Sequence, residues 1–520
     1  MNTLAVNLSI VQRAGDPHAL CFLDQARYLR YHLARLGVVC QLSKNRLYRD
    51  RLNIVFGAHK GFDRKLADSF PCAIVNLEQI GRDGAELPPA YFELLASVPS
   101  FDYDLANQQA YRTPLAGPCV RFLDAPYLRA DRPMLRLQER PLDLLFFGSI
   151  NERRRHLIGQ IEAAGCRIAM FDQALYGPER DGIIAQAKAV LNLHFYETGR
   201  LEQARISHCL SLGTPVISER KFDAEIPAEF EPAVFWAPSD AVSAFVTQTL
   251  GAADFYSQAE RKLAQFQCAD PLLCLRPLVE FLGRVARDHA IVRRNAPAPA
   301  LRRLNLGSGK DYMAGWINVD VLERSQPDLV LDLSRKISLP ATLRSATLGE
   351  VTLSPGSLEA IHANNVLEHV GDLPTLMTNA LDLLTDGGIL AIEVPYERAR
   401  TAWQDPTHVR AMNENSWIYY TDWFWYLGWF SHRFAIAHFE YLDERLAPCE
   451  REQAGFMRVL LRKVATTLQE RMSARSMRAD FGPGFEDDCA PARPDQAAKP
   501  APASGGARSD AMAAYPAYQA

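Results

Sequence analysis

Short apolar runs alternate with stretches of helical spacing through most of this chain, and that alternation restricts its fold more than any other feature. LDLLFFGS (142–149), RIAMF (167–171), AVLNLHF (189–195) and TPVISE (214–219) read as buried parallel strands. Between them, RRRHLIGQIEAAG, RDGIIAQAKA and LEQARISHCLSLG carry helical spacing. Such alternation packs as an α/β layer structure. LNIVFG (52–57) and CAIVNLE (72–78) give a weaker version nearer the N-terminus.

At 520 residues the chain is too long for one ordinary core, so two or three domains are expected. Three breaks divide it. RADRPMLRLQERP (129–141) is charged and punctuated by proline. DHAIVRRNAPAPALRR (288–303) carries alternating Ala-Pro, which reads as a stiff linker. Beyond about residue 482 the composition buries too little apolar surface to offset ordering entropy, and disorder is expected. The expected units are therefore 1–135, 136–287, a linker at 288–302, 303–470, and a disordered tail over 483–520.

The formal net charge of -4 argues against a broad basic surface, so no nucleic-acid partner is expected. No apolar run approaches the ~18 residues of a membrane span, and MNTLAVNLSIVQRAGD reads as a first strand rather than a signal peptide. Ten scattered cysteines without a C-x-x-C pair suit free thiols in a reducing cytosol. A cytoplasmic protein is the expectation, and no metal site is expected.

RRLNLGSGK (302–310) is an apolar strand running into a glycine turn, where Gly307 and Gly309 permit positive φ and close approach of a ligand. GWINVDV then places Asp320 at the end of a second strand, where a carboxylate can accept from both hydroxyls of a ribose. DLVLDLS supplies Asp332 on a third strand end, and LEAIHANNVLEHV (358–370) is a fourth strand entering a polar segment. DLPTLMTNALDLL is a helix expected to stop at a glycine C-cap, Gly387-Gly388, before ILAIEVP as the fifth strand. Asp320 follows Gly309 by only about a dozen residues, against ~20 in the dinucleotide fingerprint, so a turn or one helical loop must replace the crossover helix.

LNLGSG…GWINVD…DLVLDL…NNVLEHV…LLTDGGILAIEVP resembles the class I methyltransferases of the small-molecule and surface-sugar type, over roughly 302–465. The resemblance implies S-adenosylmethionine as cofactor. Gly307 and Gly309 would line its methionine moiety, Asp320 would hold the ribose and Asp332 would sit by the adenine. Asn364, Asn365, Glu368 and His369 would fall at the edge between cofactor and acceptor. Asp332 as a helix cap and His369 as a packing residue are the plainer alternatives. Methyl transfer needs alignment, exclusion of water and removal of one proton. His369 and His408, the latter in WQDPTHVRAMNENSW, are the candidate bases. SWIYYTDWFWYLGWF (416–430) holds four of the seven tryptophans, suiting a packed cover, a sugar-stacking wall or a domain interface.

In the N-terminal half, NLEQI (76–80), FDYDLANQQAY, FLDAPYL, DLLFFGSINERR, YGPERDGIIAQAKAVLNLHFYE and LEQARISHCLSLGTPVISE resemble glycosyltransferase-like proteins related to the spore-maturation type. That resemblance implies two Rossmann-like lobes in a GT-B layout, with a nucleotide sugar as donor. The expected fold class is thus α/β: two such lobes, then a Rossmann-like methyltransferase domain. Gly148 and Ser149 would meet the diphosphate, Arg153 and Arg154 would neutralise it, and Glu202 and Arg205 would share a helix face. His194 ends a strand at the same cleft. Many retaining members carry a glutamate five residues before the G-T-P-V-type turn, whereas His208 stands here, so the donor grip is different or lost.

The expected function is a two-module enzyme of bacterial surface-glycan synthesis, coupling glycosyl transfer to methylation of an O or N of a sugar or small-molecule acceptor. The alternative is a methyltransferase for an unrelated small molecule, with a glycan-binding or scaffolding N-terminal half.

Overall fold

A computed structural model describes residues 3–478 except 14–15, 82, 131–134, 172–174, 197–198, 223 and 296–299, together with residue 483. All of the expected tail but residue 483 therefore lies outside the described residues. The first sheet is wholly parallel, in the order β2-β1-β3-β4-β5-β6. It comprises β1 (Ala5–Ile10), β2 (Val39–Lys44), β3 (Leu52–Phe56), β4 (Cys72–Asn76), β5 (Ser100–Asp102) and β6 (Ala116–Cys119). Every residue of β3 and β4 is buried, as their unbroken apolar runs require.

The second sheet is also parallel, ordered β11-β10-β9-β7-β8. Its strands are β7 (Leu142–Phe147), β8 (Ile168–Phe171), β9 (Ala187–Asn192), β10 (Val216–Arg220) and β11 (Phe235–Pro238). Helices Glu152–Ala163 and Gln203–Ser211 follow segments read as helical, whereas RDGIIAQAKA is helical only to Ile184 and its last three residues open β9. The two lobes share one apolar core, to which the helix Pro271–Asn295 contributes Leu275, Leu278, Phe281 and Leu282. Residues 288–295, expected as linker, are the last turns of that helix: DHAIVRRN contains no residue that stops one, and the Ala-Pro run comes after it.

The third sheet has the order β14-β13-β12-β17-β18-β21-β19-β20. It is built from β12 (Arg303–Leu306), β13 (Ile317–Asp320), β14 (Leu329–Val330), β17 (Leu358–Asn364), β18 (Leu384–Pro395), β19 (His432–Leu442), β20 (Pro448–Cys449) and β21 (Phe456–Ala465), with a separate hairpin of β15 (Ala341–Ser345) and β16 (Gly349–Leu353). The pairings from β14 to β18 are parallel, and β21 is antiparallel to both β18 and β19. The strand order reverses beside β12, and in such sheets ligands bind at the carboxyl ends flanking the reversal.

Gly387 and Gly388 do not cap the helix Leu373–Leu383, contrary to expectation. The helix ends at Leu384 in an extended conformation, and β18 starts at once. Leu384 pairs with Leu358 and Ile389 with Ala360, so Thr385–Gly388 bulges from the strand with Gly387 at φ 79°.

The first lobe docks on this third unit. Val55, Phe70, Ile74 and Leu95 belong to the same apolar cluster as Ile317, Leu348 and Leu353. Arg46 donates to Ser325 O (2.9 Å) and covers the Tyr312 ring at 4.8 Å, and Arg49 N–H donates to Thr347 O (2.9 Å). No helix among the described residues is long and apolar enough to cross a membrane.

Candidate functional site

The glycine turn after β12 runs through residues 307–316 without a helix. Gly307 has φ 63°, and a Cβ there would come within 2.4 Å of Val366 Cγ2; Gly309 has φ 43°. A buried polar network replaces the missing helix. Asn318 Oδ1 accepts from Asn305 Nδ2 (3.0 Å) and from Met313 N–H (2.8 Å). Its Nδ2 donates to Met313 O (2.9 Å), Trp316 O (3.1 Å) and Asp328 Oδ2 (2.9 Å). Asp328 Oδ1 also accepts from Tyr312 Oη at 2.6 Å.

Asp320 is buried at the end of β13. Its Oδ2 accepts from Gly309 N–H and its Oδ1 from Leu322 N–H, both at 2.8 Å. The carboxylate thus fixes the glycine turn and retains further lone pairs for hydroxyl donors. Ser308, which the sequence reading passed over, is buried in this turn with an unpartnered Oγ. Asp332 lies just beyond β14. It accepts from Ser334 N–H (3.0 Å) and Ser334 Oγ (2.6 Å) and faces Arg335 (3.2 Å).

Asn364 ends β17 in an exposed position. Asn365, at φ 50°, donates its N–H to Glu393 O (2.9 Å) and its side-chain amide to Asn364 Oδ1 (2.9 Å). Val366, against Gly307, leads into the turn Leu367–His369. Here the chain brings together residues far apart in sequence. The His369 and His408 rings lie 4.7 Å apart at 73°. Glu368, only 2% exposed, stands with them, and both its carboxylate oxygens lack a hydrogen-bond partner. Burial pushes its carboxyl up to about 7, partly offset by its own N–H and by His408. No spacing pattern pointed to this trio, because His408 comes from the far side of β18.

The tryptophan-rich segment divides. Trp417 is wholly buried, and Trp429 packs on the core while donating to Thr378 Oγ1 (3.0 Å). Trp423 is exposed against Tyr419.

Between the two N-terminal lobes lies a cleft of about 610 Å³, whose walls include Gly148, Ser149, Arg154, Glu202, Arg205 and His208. Gly148 has φ 124°, and a Cβ there would fall 2.7 Å from Arg205 Nη2. Arg205 pairs with Glu202 (3.0 Å), donates to Asn192 Oδ1 (3.2 Å) and covers Phe147 at 5.4 Å. Arg154 is almost fully buried, donating to Ser149 O (2.8 Å) and Glu202 Oε1 (3.1 Å).

Arg153 and His194 are not among the residues lining this cleft. Arg153 pairs with Glu219 and donates to His194 O (3.2 Å). His194 is buried, both ring nitrogens without partners, and burial holds its pKa below the usual value. At the cleft floor Arg180 reaches Asp24 (2.7 Å) and Asp181 (2.8 Å), and His208 Nε2 lies 2.7 Å from Asp181 Oδ1. Burial would raise Asp181, but His208 and Arg180 outweigh it and hold the carboxyl down to about 2.

The third unit is a Rossmann-like sheet whose strand order reverses beside β12, with a glycine turn at the carboxyl end of that strand. Residues 280–445 match the family described as a methyltransferase domain. Similar solved structures include an S-adenosylmethionine-dependent methyltransferase from Mesorhizobium loti, 16% identical, covering 34% of this chain and 98% of that one at a TM-score of 0.22. A glycosyltransferase involved in avilamycin A biosynthesis is 17% identical and covers 55% of this chain and 98% of that one, at a TM-score of 0.36. A glycosyltransferase from Rickettsia africae ESF-5 is 9% identical over 55% of this chain and 99% of that one, with a TM-score of 0.36. Two uncharacterized proteins of Acanthamoeba polyphaga mimivirus, L138 and L140, are 26% and 25% identical over 23% and 30% of this chain. The chain spans 14% of the length of the first and 50% of the second.

Proposed function

We propose that the third unit transfers a methyl group from S-adenosylmethionine to an oxygen or nitrogen of a sugar or small-molecule acceptor. The observation carrying this is Asp320, buried at a strand tip with its carboxylate clamped on the N–H of Gly309 beside a turn that excludes side chains at Gly307. Residues present suit a nucleoside: Asp320 for the ribose, Gly307 and Gly309 for the methionine portion, Asp332 near the base. Bound there, the cofactor supplies an electrophilic methyl carbon on a sulfonium. The chain's own task is to align the acceptor and manage its proton, which we assign to the side of the site holding His369 and His408, reached from Gly307 across Val366.

Calorimetry of the whole chain with S-adenosylhomocysteine tests this reading. Asp320→Asn keeps an acceptor for Gly309 N–H but removes the charge, and at least a tenfold loss of affinity is expected. Unchanged affinity would remove the basis of the proposal.

For the N-terminal half we propose a nucleotide-sugar site in the interlobe cleft, with Gly148 and Ser149 against the diphosphate and Arg205 beside them. The two modules together would serve surface-glycan synthesis, glycosyl transfer preceding methylation, with the fusion raising the local acceptor concentration. One observation favours a binding-only half: His208, in the position of the family's ribose-gripping glutamate, is engaged by Asp181 and Arg180. Titration with UDP and GDP separates the readings. Binding weakened by Arg205→Ala supports the donor site, and no binding at millimolar nucleotide leaves the carbohydrate-binding reading.

A further inference from the structure

Glu368 presents an unusual combination. It is 2% exposed, and neither carboxylate oxygen has a hydrogen-bond partner. A buried carboxylate in that condition is costly unless something charged or donating meets it. One of its oxygens and one ring nitrogen from each of His369 and His408 all lie within 4.8 Å of one another.

The surrounding hydrogen bonds settle which nitrogens are free. His408 Nδ1 lies 2.9 Å from the carbonyl oxygen of Ala402, an acceptor, so Nδ1 carries a proton and, in the neutral ring, Nε2 is the nitrogen with the lone pair. Thr407 Oγ1 donates to Asp405 Oδ1 (2.6 Å) and has no second proton to give. His369 Nδ1, 2.9 Å from Thr407 Oγ1 and 3.3 Å from Thr407 O, is therefore the donor there, and its Nε2 is likewise free. Backbone and side-chain acceptors thus orient both rings as outer partners orient metal-bound imidazoles.

We infer that Glu368, His369 and His408 form a binding site for a divalent first-row transition-metal ion at the acceptor side of the methyltransferase domain. Two neutral imidazoles with one carboxylate suit zinc, cobalt, iron or manganese better than magnesium or calcium, which prefer all-oxygen shells. Three protein ligands leave at least one coordination position open. The turn Leu367–His369 begins one residue after Val366, the side chain against Gly307, so an open position here borders the proposed methyl donor. The ligand fitting that position is an acceptor hydroxyl, preferably one of a vicinal pair on a sugar ring. An oxygen held by such an ion loses its proton more readily. The assignment of the acceptor rests on the proposed function, whereas the metal site rests on the trio alone.

Cobalt(II) added to the chelator-treated whole chain tests it, because its visible absorption reports a protein-bound ion directly. One equivalent per chain is expected, with a visible band that saturates. His369→Ala and His408→Ala should each lower cobalt affinity at least a hundredfold while S-adenosylhomocysteine still binds. Should an alanine variant fail to fold, Glu368→Gln, which keeps the side chain's size, carries the test and should give at least a tenfold loss. No stoichiometric band in the wild-type chain, or equal binding in the His369→Ala/His408→Ala double variant, would overturn the site. Loss of S-adenosylhomocysteine binding with cobalt binding intact would instead overturn the methyltransferase reading.

Discussion

Gly307 tolerates no side chain on two independent grounds, a left-handed φ of 63° and a virtual Cβ 2.4 Å from Val366 Cγ2. Gly307→Ala should reduce S-adenosylhomocysteine affinity at least tenfold and cost about 1–2 kcal/mol of stability. Adding Val366→Ala relieves the contact but not the backbone strain, so calorimetry should show partial recovery. Full recovery would mean that φ does not matter here. A second single-residue effect lies in the first lobe. His32 is wholly buried between Tyr28 and Tyr31, its Nε2 3.0 Å from Asp124 O. Burial lowers its pKa to about 4; Arg35 adds to the shift, and Asp124 and Asp270 oppose it. An unfolded histidine titrates near ~6.5, so below that pH the unfolded chain takes up a proton that the folded chain refuses. His32 therefore costs nothing above about 6.5 and destabilises progressively as the pH falls towards about 4. Urea unfolding at pH 7.5 and 5.0 should show a smaller loss for His32→Gln than for wild type, and equal losses would sink the argument.

At the scale of elements, the turn 307–316 stands where the dinucleotide fold has a helix, and Asn318 holds it with three hydrogen bonds while two more anchor Asn318 to Asn305 and Asp328. Asn318→Ala leaves several buried groups unpaired and should cost on the order of 2–4 kcal/mol. Amide exchange within 309–316 should accelerate more than the global loss explains, and a uniform change along the chain would contradict this. The short interval between Gly309 and Asp320 made a turn legible in advance, but not its scaffold: Asn305, Asn318 and Asp328 look like ordinary strand-end polar residues until the sheet juxtaposes them. Strands and their parallel pairing were legible because runs such as LNIVF and CAIVN are buried on both faces. The glycine pair at 387–388 was misread because positive φ serves a strand bulge as well as a helix cap. The resemblance puts Glu368 at the edge between cofactor and acceptor, but its unpartnered carboxylate was not legible for a related reason, since that depends on what does not touch it.

For the whole molecule, the docking of the first lobe on the third unit is the dominant fact. Leu66 Cδ2 would sit 2.7 Å from a Cβ at Gly315, and one apolar cluster runs through both units. These two parts should unfold together in a single calorimetric transition, and a fragment of residues 300–478 should melt well below it. Two separate transitions in the whole chain would show that the contact is weak. The long helix Pro271–Asn295 bears on the same point. After leaving the second lobe it crosses back to lie against β6 and the helix Leu23–Arg35 of the first, with Phe281 filling the space over Gly117. The chain's own return thus ties the first lobe to both of its neighbours, so the separation between the interlobe cleft and the glycine turn of the third unit is set by that one anchored lobe.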